Sequence, residues 1–251
     1  MKVEIDITKT IEQNAAIYYE KAKKAKRKIQ GAETAVKRAE NEAKLVKPKI
    51  VKNKLKEVIV KKKKWYEKFR WFVSSEGFLC IGGRDATTND IVVKKHMEKG
   101  DLVFHTQIIG SPFFVIKGEG KKIGKKTIEE TAQATAAYSR AWKHGMTTTE
   151  VYYIKPEQVK KELGLPKGTF MIHGKREYLK PILQLAVGIT KDKAIIGGPV
   201  GAMLKNAEKY LIIDQGDMKT SDMAKKIKAK LGGELEDIQS FLPPGKGRVK
   251  A

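Results

Sequence analysis

The residue types most suited to chemistry cluster in a few short stretches. Gly118-Glu119-Gly120-Lys121-Lys122-Ile123-Gly124-Lys125-Lys126-Thr127 carries glycines, lysines and a hydroxyl in the order of a phosphate cradle. A P-loop needs four residues between its glycines before Gly-Lys-Thr. Gly120 and Gly124 enclose three, and an extra lysine intervenes, so the stretch reads as a basic loop between a strand and a helix. The histidines, His96, His105, His144 and His173, lack metal-ligand spacing, and the single cysteine, Cys80, excludes a cysteine-cluster zinc site and an intrachain disulfide. No Gly-x-Ser-x-Gly elbow is present. An enzyme acting on nucleic acid would have to draw on Asp85, Asp90, Asp101 and His105. That alternative stays open, but no catalytic residue, metal ligand or cofactor is assigned.

Binding chemistry is better represented. Lys64-Trp65-Tyr66-Glu67-Lys68-Phe69-Arg70-Trp71-Phe72 interleaves cations, which meet phosphates, with flat rings on which bases stack. Phe69, Trp71 and Phe72 have strand-like neighbours and are expected in the core. In Ile81-Gly82-Gly83-Arg84-Asp85-Ala86 the glycines permit close approach of a ligand to the backbone, and Arg84 offers a forked donor to phosphate. Asp85 either orients Arg84 or caps a helix starting near Asn89, with Lys94 and Lys95 one turn further on. A tight turn held by a salt bridge is the competing reading of the same residues.

These stretches need elements to hold them. The chain has 251 residues with 52 Lys and Arg against 29 Asp and Glu, a formal net charge of +23 that favours polyanionic partners. Residues 1–70 hold 22 of the cations and nine of the anions. Between Thr10 and Lys64 the composition is dominated by Ala, Lys and Glu, and Ile11, Ala15, Tyr19, Ala22, Ile29, Ala32 and Val36 recur at helical spacing. A helical hairpin or coiled-coil stalk is expected over 1–64, broken at Pro48, with a second helix from Ile50 to Tyr66. Its lysines read as a solvated face, but Lys61 to Lys64 with Lys68 and Arg70 form a cluster relieved only by Glu67.

Strand-like runs flank Ser74-Ser75-Glu76-Gly77 and recur at Asp101–His105, Phe113–Lys117, Val151–Ile154 and Thr169–His173. A helix is expected from Thr127 to His144, opened by a Thr127/Glu130 capping box. The fold class is therefore α+β: the stalk, a mixed α/β domain over 65–178, a small C-terminal α/β section over 179–242 and a flexible basic tail over 243–251. In the C-terminal section the expected features are a Gly197–Pro199 turn, a strand at Tyr210–Asp214 and a helix from Ser221 to Leu231. No apolar run reaches the length of a membrane span and the N-terminus is no signal peptide, so a cytoplasmic location without membrane contact is expected.

Several of these motifs, in this order, resemble the NFACT-R domain of the family that contains NEMF and RqcH. They are Trp65 to Phe72 with Ser74-Ser75, Ile81 to Ala86, Asn89, Val93-Lys94-Lys95, Gly100 to His105, Gly110-Ser111, Val115-Ile116-Lys117, Ala141-Trp142 and Gly168 to Arg176. Asn14-Ala15-Ala16 and Tyr18 to Lys24 resemble the start of that family's coiled coil. The resemblance implies a module that binds the large ribosomal subunit (rRNA) obstructed by peptidyl-tRNA, within a factor that recruits tRNA and directs untemplated C-terminal tailing of the stalled chain. It implies no cofactor. The family's N-terminal domain has no counterpart before Met1, so the expectation is a C-terminal piece or a short version, with that domain as a further partner in cis or in trans.

Carried onto these positions, Arg84, Lys94, Lys95, Lys117, Lys175 and Arg176 are expected to contact phosphate, with Lys62, Lys63, Lys64 and Arg70 strengthening attachment where stalk meets domain. Asn89, His105 and Ser111 either bond to RNA or pin loops. Trp65, Phe69, Trp71, Gly82, Gly83, Asp85 and Trp142 serve as motif and structural positions. A coiled-coil interaction scaffold, with charge serving only solubility, remains the other alternative.

Overall fold

The computed structural model describes residues 4–45 and 64–250. Two compact units are present, Met1–Lys61 and Lys62–Ala251. Among the described residues of the first, the Ala- and Lys-rich sequence forms one helix, α1 (Ile11–Leu45), with Glu12 in its first turn. Its start is held by Asn14, whose Oδ1 accepts from Asp6 N at 2.9 Å while Nδ2 donates to Asp6 O and Thr10 O. The expected break at Pro48 and most of the Ile50–Tyr66 helix lie outside the described residues, as do Lys62 and Lys63. Trp65 and Tyr66, the last turn of that expected helix, instead lie in a turn that leads into the first strand.

The second unit opens with β1 (Arg70–Val73), β2 (Leu79–Gly82), α2 (Ala86–Lys95), β3 (Leu102–Thr106), β4 (Phe114–Ile116), α3 (Lys125–Ala137), α4 (Arg140–Lys143) and β5 (Val151–Ile154). A small ribbon of β6 (Val159–Lys160) and β7 (Met171–Ile172) follows, then β8 (Glu177–Leu179). The chain continues through β9 (Leu185–Ile189), β10 (Ile195–Gly198), α5 (Val200–Asn206), β11 (Lys209–Met218), α6 (Thr220–Leu231), α7 (Leu235–Ser240) and β12 (Gly247–Lys250). A six-stranded antiparallel sheet runs in the order β1-β2-β4-β3-β5-β8, and a second sheet in the order β10-β9-β11-β12.

Both faces of the first sheet are covered, which is why its strands read as continuous apolar runs. Ile81, Val103, Val115, Tyr152 and Ile154 meet Val92 and Val93 of α2 on one face. Cys80, Phe104, Phe114, Ile116 and Val151, one residue out of phase, share a core with the alanines of α3, Trp142 and the second sheet. Phe104 and Phe114 are fully buried, each contributing about 1.5–3 kcal/mol.

Several expectations are corrected here. The helix from Thr127 to His144 is two helices, because Ser139 interrupts the ladder: its Oγ donates to Ala136 O at 2.7 Å and accepts from Ala141 N at 3.1 Å, recapping the chain. The Thr127/Glu130 capping box does not form. Thr127 gives both its N–H and its hydroxyl to Glu76 Oε2, at 2.8 and 2.6 Å, and Glu130 instead accepts from Ser75 N at 2.9 Å. Gly197 and Gly198 end β10 rather than forming a turn. The section after residue 178 shares the core of the preceding residues. Nor is the basic end a flexible tail: β12 pairs with β11, Val249 is buried, and Trp142 Nε1 donates to Lys246 O at 2.8 Å.

Candidate nucleic-acid interface

A cleft of about 650 Å³ opens where the β2–α2 turn, the β3–β4 loop and the 167–172 loop converge. Its floor is aromatic. Phe113 and Tyr152 are buried, Phe170 meets Phe113 edge-on at 5.4 Å, and the His105 ring lies 4.2 Å from that of Phe113. Burial lowers the His105 pKa to about 4, so the ring is neutral at pH 7, with Nδ1 3.3 Å from Tyr152 Oη. Burial likewise pushes Tyr152 up to about 12.

Arg84, Arg140, Lys167 and Arg176 line the rim, with Asp85 as the one acid. Asp85 is spent as the N-cap of α2: its Oδ1 accepts from Thr88 N at 2.8 Å, which holds its carboxyl below the usual carboxylate range. Nearby ion pairs are Lys94–Asp90 at 2.6 Å and Lys175–Glu177 at 3.1 Å. Among the described residues none involves the four rim cations. The Arg176 guanidinium lies over the Tyr152 ring, 4.8 Å from its centroid.

The loop bearing Lys167 is built by another lysine. Lys161 Nζ donates to the carbonyls of Leu165, Pro166 and Thr169, while Gly168 N donates to Asp90 Oδ1 at 3.3 Å, docking the loop on α2. Gln158 Nε2 donates to the carbonyls of His173 and Lys175 and so fixes the approach to Arg176.

Of the residues singled out in the sequence, the cleft gathers Gly83, Arg84, Asp85, Asn89, His105, Ser111 and Arg176. Gly82 and Gly83 do not leave room for a ligand. A Cβ on Gly82 would meet the Phe114 ring at 2.6 Å, and one on Gly83 would meet Asn89 Oδ1 at 1.9 Å. Asn89 is buried and pins a loop, accepting from Phe113 N at 3.0 Å and donating to Ser111 O at 3.4 Å. Arg84 donates to Phe69 O at 3.0 Å, so part of its fork holds the turn before β1.

Other candidates lie elsewhere. Lys117 is no phosphate ligand: it is 8% exposed, and its Nζ is saturated by Asp101 Oδ2 at 2.6 Å, Glu98 Oε2 at 3.0 Å and His96 O at 2.9 Å. Arg70 is half-buried, its guanidinium over the Tyr138 ring, 4.0 Å from its centroid, and it donates to Leu242 O, which commits part of the side chain to packing. Phe69 and Trp142 are buried, and Trp71 packs edge-on against Phe241. Trp65, nearly half exposed, stacks on His96 at 4.5 Å. Lys64, Lys95 and Lys175 are exposed outside the cleft, and Lys94 sits on α2 with Asp90.

Arg140, Lys167, Tyr138 and Tyr152 were not singled out. Pro166-Lys167-Gly168 carries a turn signal that places a cation on a loop, whereas Arg140 was hidden by the expectation of an unbroken helix.

Residues 68–174 match the family described as the NFACT protein RNA binding domain. These residues are an NFACT-R domain, the domain shared by the NEMF/RqcH family. The chain is 40% identical over 202 residues to the archaeal Rqc2 homolog aRqcH of Methanocaldococcus jannaschii, an alignment covering 76% of this chain and 30% of that protein. The human ribosome quality control complex subunit NEMF is 38% identical over 67% of the chain and 16% of its own length. The chain thus spans less than a third of the curated relatives it matches. Among solved structures, the C-terminal part of the fibronectin/fibrinogen-binding protein from Streptococcus suis aligns over 76% of this chain and 79% of that one, with 21% identity and a TM-score of 0.41. Within the NFACT-R domain the matched residues contribute Arg84, Arg140 and Lys167 of the rim, and Arg176 follows directly after them.

Proposed function

We propose that this chain is an RNA-binding module of ribosome quality control, attached to the large ribosomal subunit through its NFACT-R domain and without catalysis of its own. The observation that carries the reading is the coincidence of the NFACT-R match with a cleft whose rim holds four cations and whose one acid is committed to a helix cap. A low-dielectric aromatic floor beneath clustered positive charge concentrates phosphate and accepts bases. The name of the human relative places it in a ribosome quality control complex, and this chain's role is read accordingly. Helix α1 is taken as the first arm of a coiled-coil stalk, and tRNA contact and support of C-terminal tailing belong to the longer protein's activity. Work in the cytoplasm, on the large subunit carrying peptidyl-tRNA, follows from the same reading.

Co-sedimentation with isolated large subunits, small subunits and free tRNA across a salt series tests it. Retention on large subunits at physiological salt, with small subunits and tRNA released, is the expected result. Equal, salt-labile binding to all three would reduce the interaction to bulk charge and overturn the reading.

A further inference from the structure

Positive charge alone does not call for a cleft with an aromatic floor; a flat basic face would hold a backbone as well. We propose that the cleft takes a single unstacked nucleotide of an RNA strand, its base inside and its flanking phosphates on the rim. This inference rests on the RNA-binding reading and specifies the ligand at the same site.

The volume falls within the range of small-ligand pockets, and the lining combines stacking surface with a few polar groups. A base laid on the Arg176 guanidinium extends the stack that Arg176 already makes on Tyr152, since planar cations stack on both faces. Polar groups for a base edge are at hand. The neutral His105 imidazole can donate from one nitrogen and accept at the other. Ser111 Oγ is buried, and its one acceptor, Pro112 O, stands at 3.5 Å, too long for a full hydrogen bond. Arg140 is exposed and lies against Gly110, a loop residue with φ +82°, so its guanidinium is at the mouth rather than in the floor. Lys167 faces the same opening from the loop docked on α2. Single-stranded RNA is recognised by splaying bases into such surroundings, whereas the deep groove of a helix denies side chains access to base edges.

The test uses the full chain and two short RNA strands, one abasic except for a single central adenosine, the other abasic throughout. The expected result is tighter binding of the base-bearing strand by about 5- to 150-fold, the range for stacking one base. Thr169→Trp, at an exposed position lining the cleft, should abolish that difference while leaving the abasic strand's affinity and salt slope unchanged. Arg140→Gln with Lys167→Gln, both exposed and outside the core, should keep the preference for the base and lower the salt slope by about 1.4, the loss of two phosphate contacts on a single strand. Equal affinity for the two strands in the native chain overturns the nucleotide pocket while leaving the RNA-binding reading intact. A preference that persists undiminished in a folded Thr169→Trp variant places the base elsewhere and overturns it as well. Competition by free AMP at the strand's own concentration would make the cleft a mononucleotide site and overturn the RNA assignment, and failure of both strands to bind would overturn both readings together.

Discussion

Lys117 is spent inside the fold, whereas His105 keeps a place in the cleft lining. Both were candidate RNA contacts, and each lies in a strand or beside one where burial decides its chemistry. Lys117 closes a buried ion pair with Asp101, which in turn accepts from Gly118 N at 2.9 Å and Glu98 N at 2.9 Å. Lys117→Ala strands that carboxylate in the interior and should cost about 3–5 kcal/mol in denaturant unfolding, with RNA affinity per folded molecule unchanged. His105 gives a pH dependence of definite sign. Its folded pKa of about 4 lies below the ordinary 6.5, so the unfolded chain binds the proton more readily. Stability should therefore fall as pH drops from about 6.5 towards 4, by up to about 3 kcal/mol, and level off below. Urea midpoints against pH should show this slope in the native chain and lose it in His105→Phe.

Among the elements, α3 is held at its start by a side chain distant in sequence. Gly124 is its N-cap and brings no side-chain bond; Glu76, from the β1–β2 turn, supplies the carboxylate to Thr127. The Thr127 hydroxyl, followed by its N–H, holds the Glu76 carboxyl below the usual carboxylate range. Its contribution is thus present at neutral pH and lost on acidification through that lowered value. Glu76→Ala should destabilise the domain by about 0.5–2 kcal/mol, and Glu76→Gln by less, measured by thermal melting. This cap also marks where the sequence ceased to be legible. Local signals placed β2, β3, β4 and β5, and offered Asp85, in one of two readings, as the cap of a helix near Asn89 that starts instead at Ala86, because apolar runs and Asx chemistry act over a few residues. Glu76–Thr127 joins residues 51 apart in sequence, where the local pattern Thr-x-x-Glu pointed to the wrong partner, whereas Ser139 caps α4 through neighbours two and three residues away, a local signal masked by the helical pattern around it. The cleft was half visible for the same reason: Arg84, Asn89, His105 and Ser111 lie in recognisable motifs, while Tyr152 joins them through the sheet order β4-β3-β5 and Arg140 through the packing of α4 against Gly110.

At the scale of the whole molecule, the NFACT-R domain and the residues after it share one core. Tyr138 Oη donates to Phe241 O at 2.8 Å, Trp142 reaches Lys246, and β12 closes the second sheet. Deletion of 246–251 should therefore lower the melting temperature of the entire Lys62–Ala251 unit in a single transition by calorimetry, not release a separate lobe. The uneven charge serves two ends on this account: bulk attraction to a polyanion, and a local rim that gives the attraction an address. Separating those two is the most direct test. The measurement is the salt dependence of binding to isolated large ribosomal subunits, for the native chain and for a variant carrying Arg140→Gln, Lys167→Gln and Arg176→Gln. The account predicts weaker binding and a slope of log affinity against log salt reduced by about three, one for each lost phosphate contact. An unchanged affinity and slope in the folded variant would contradict it, placing the RNA contact somewhere other than the cleft.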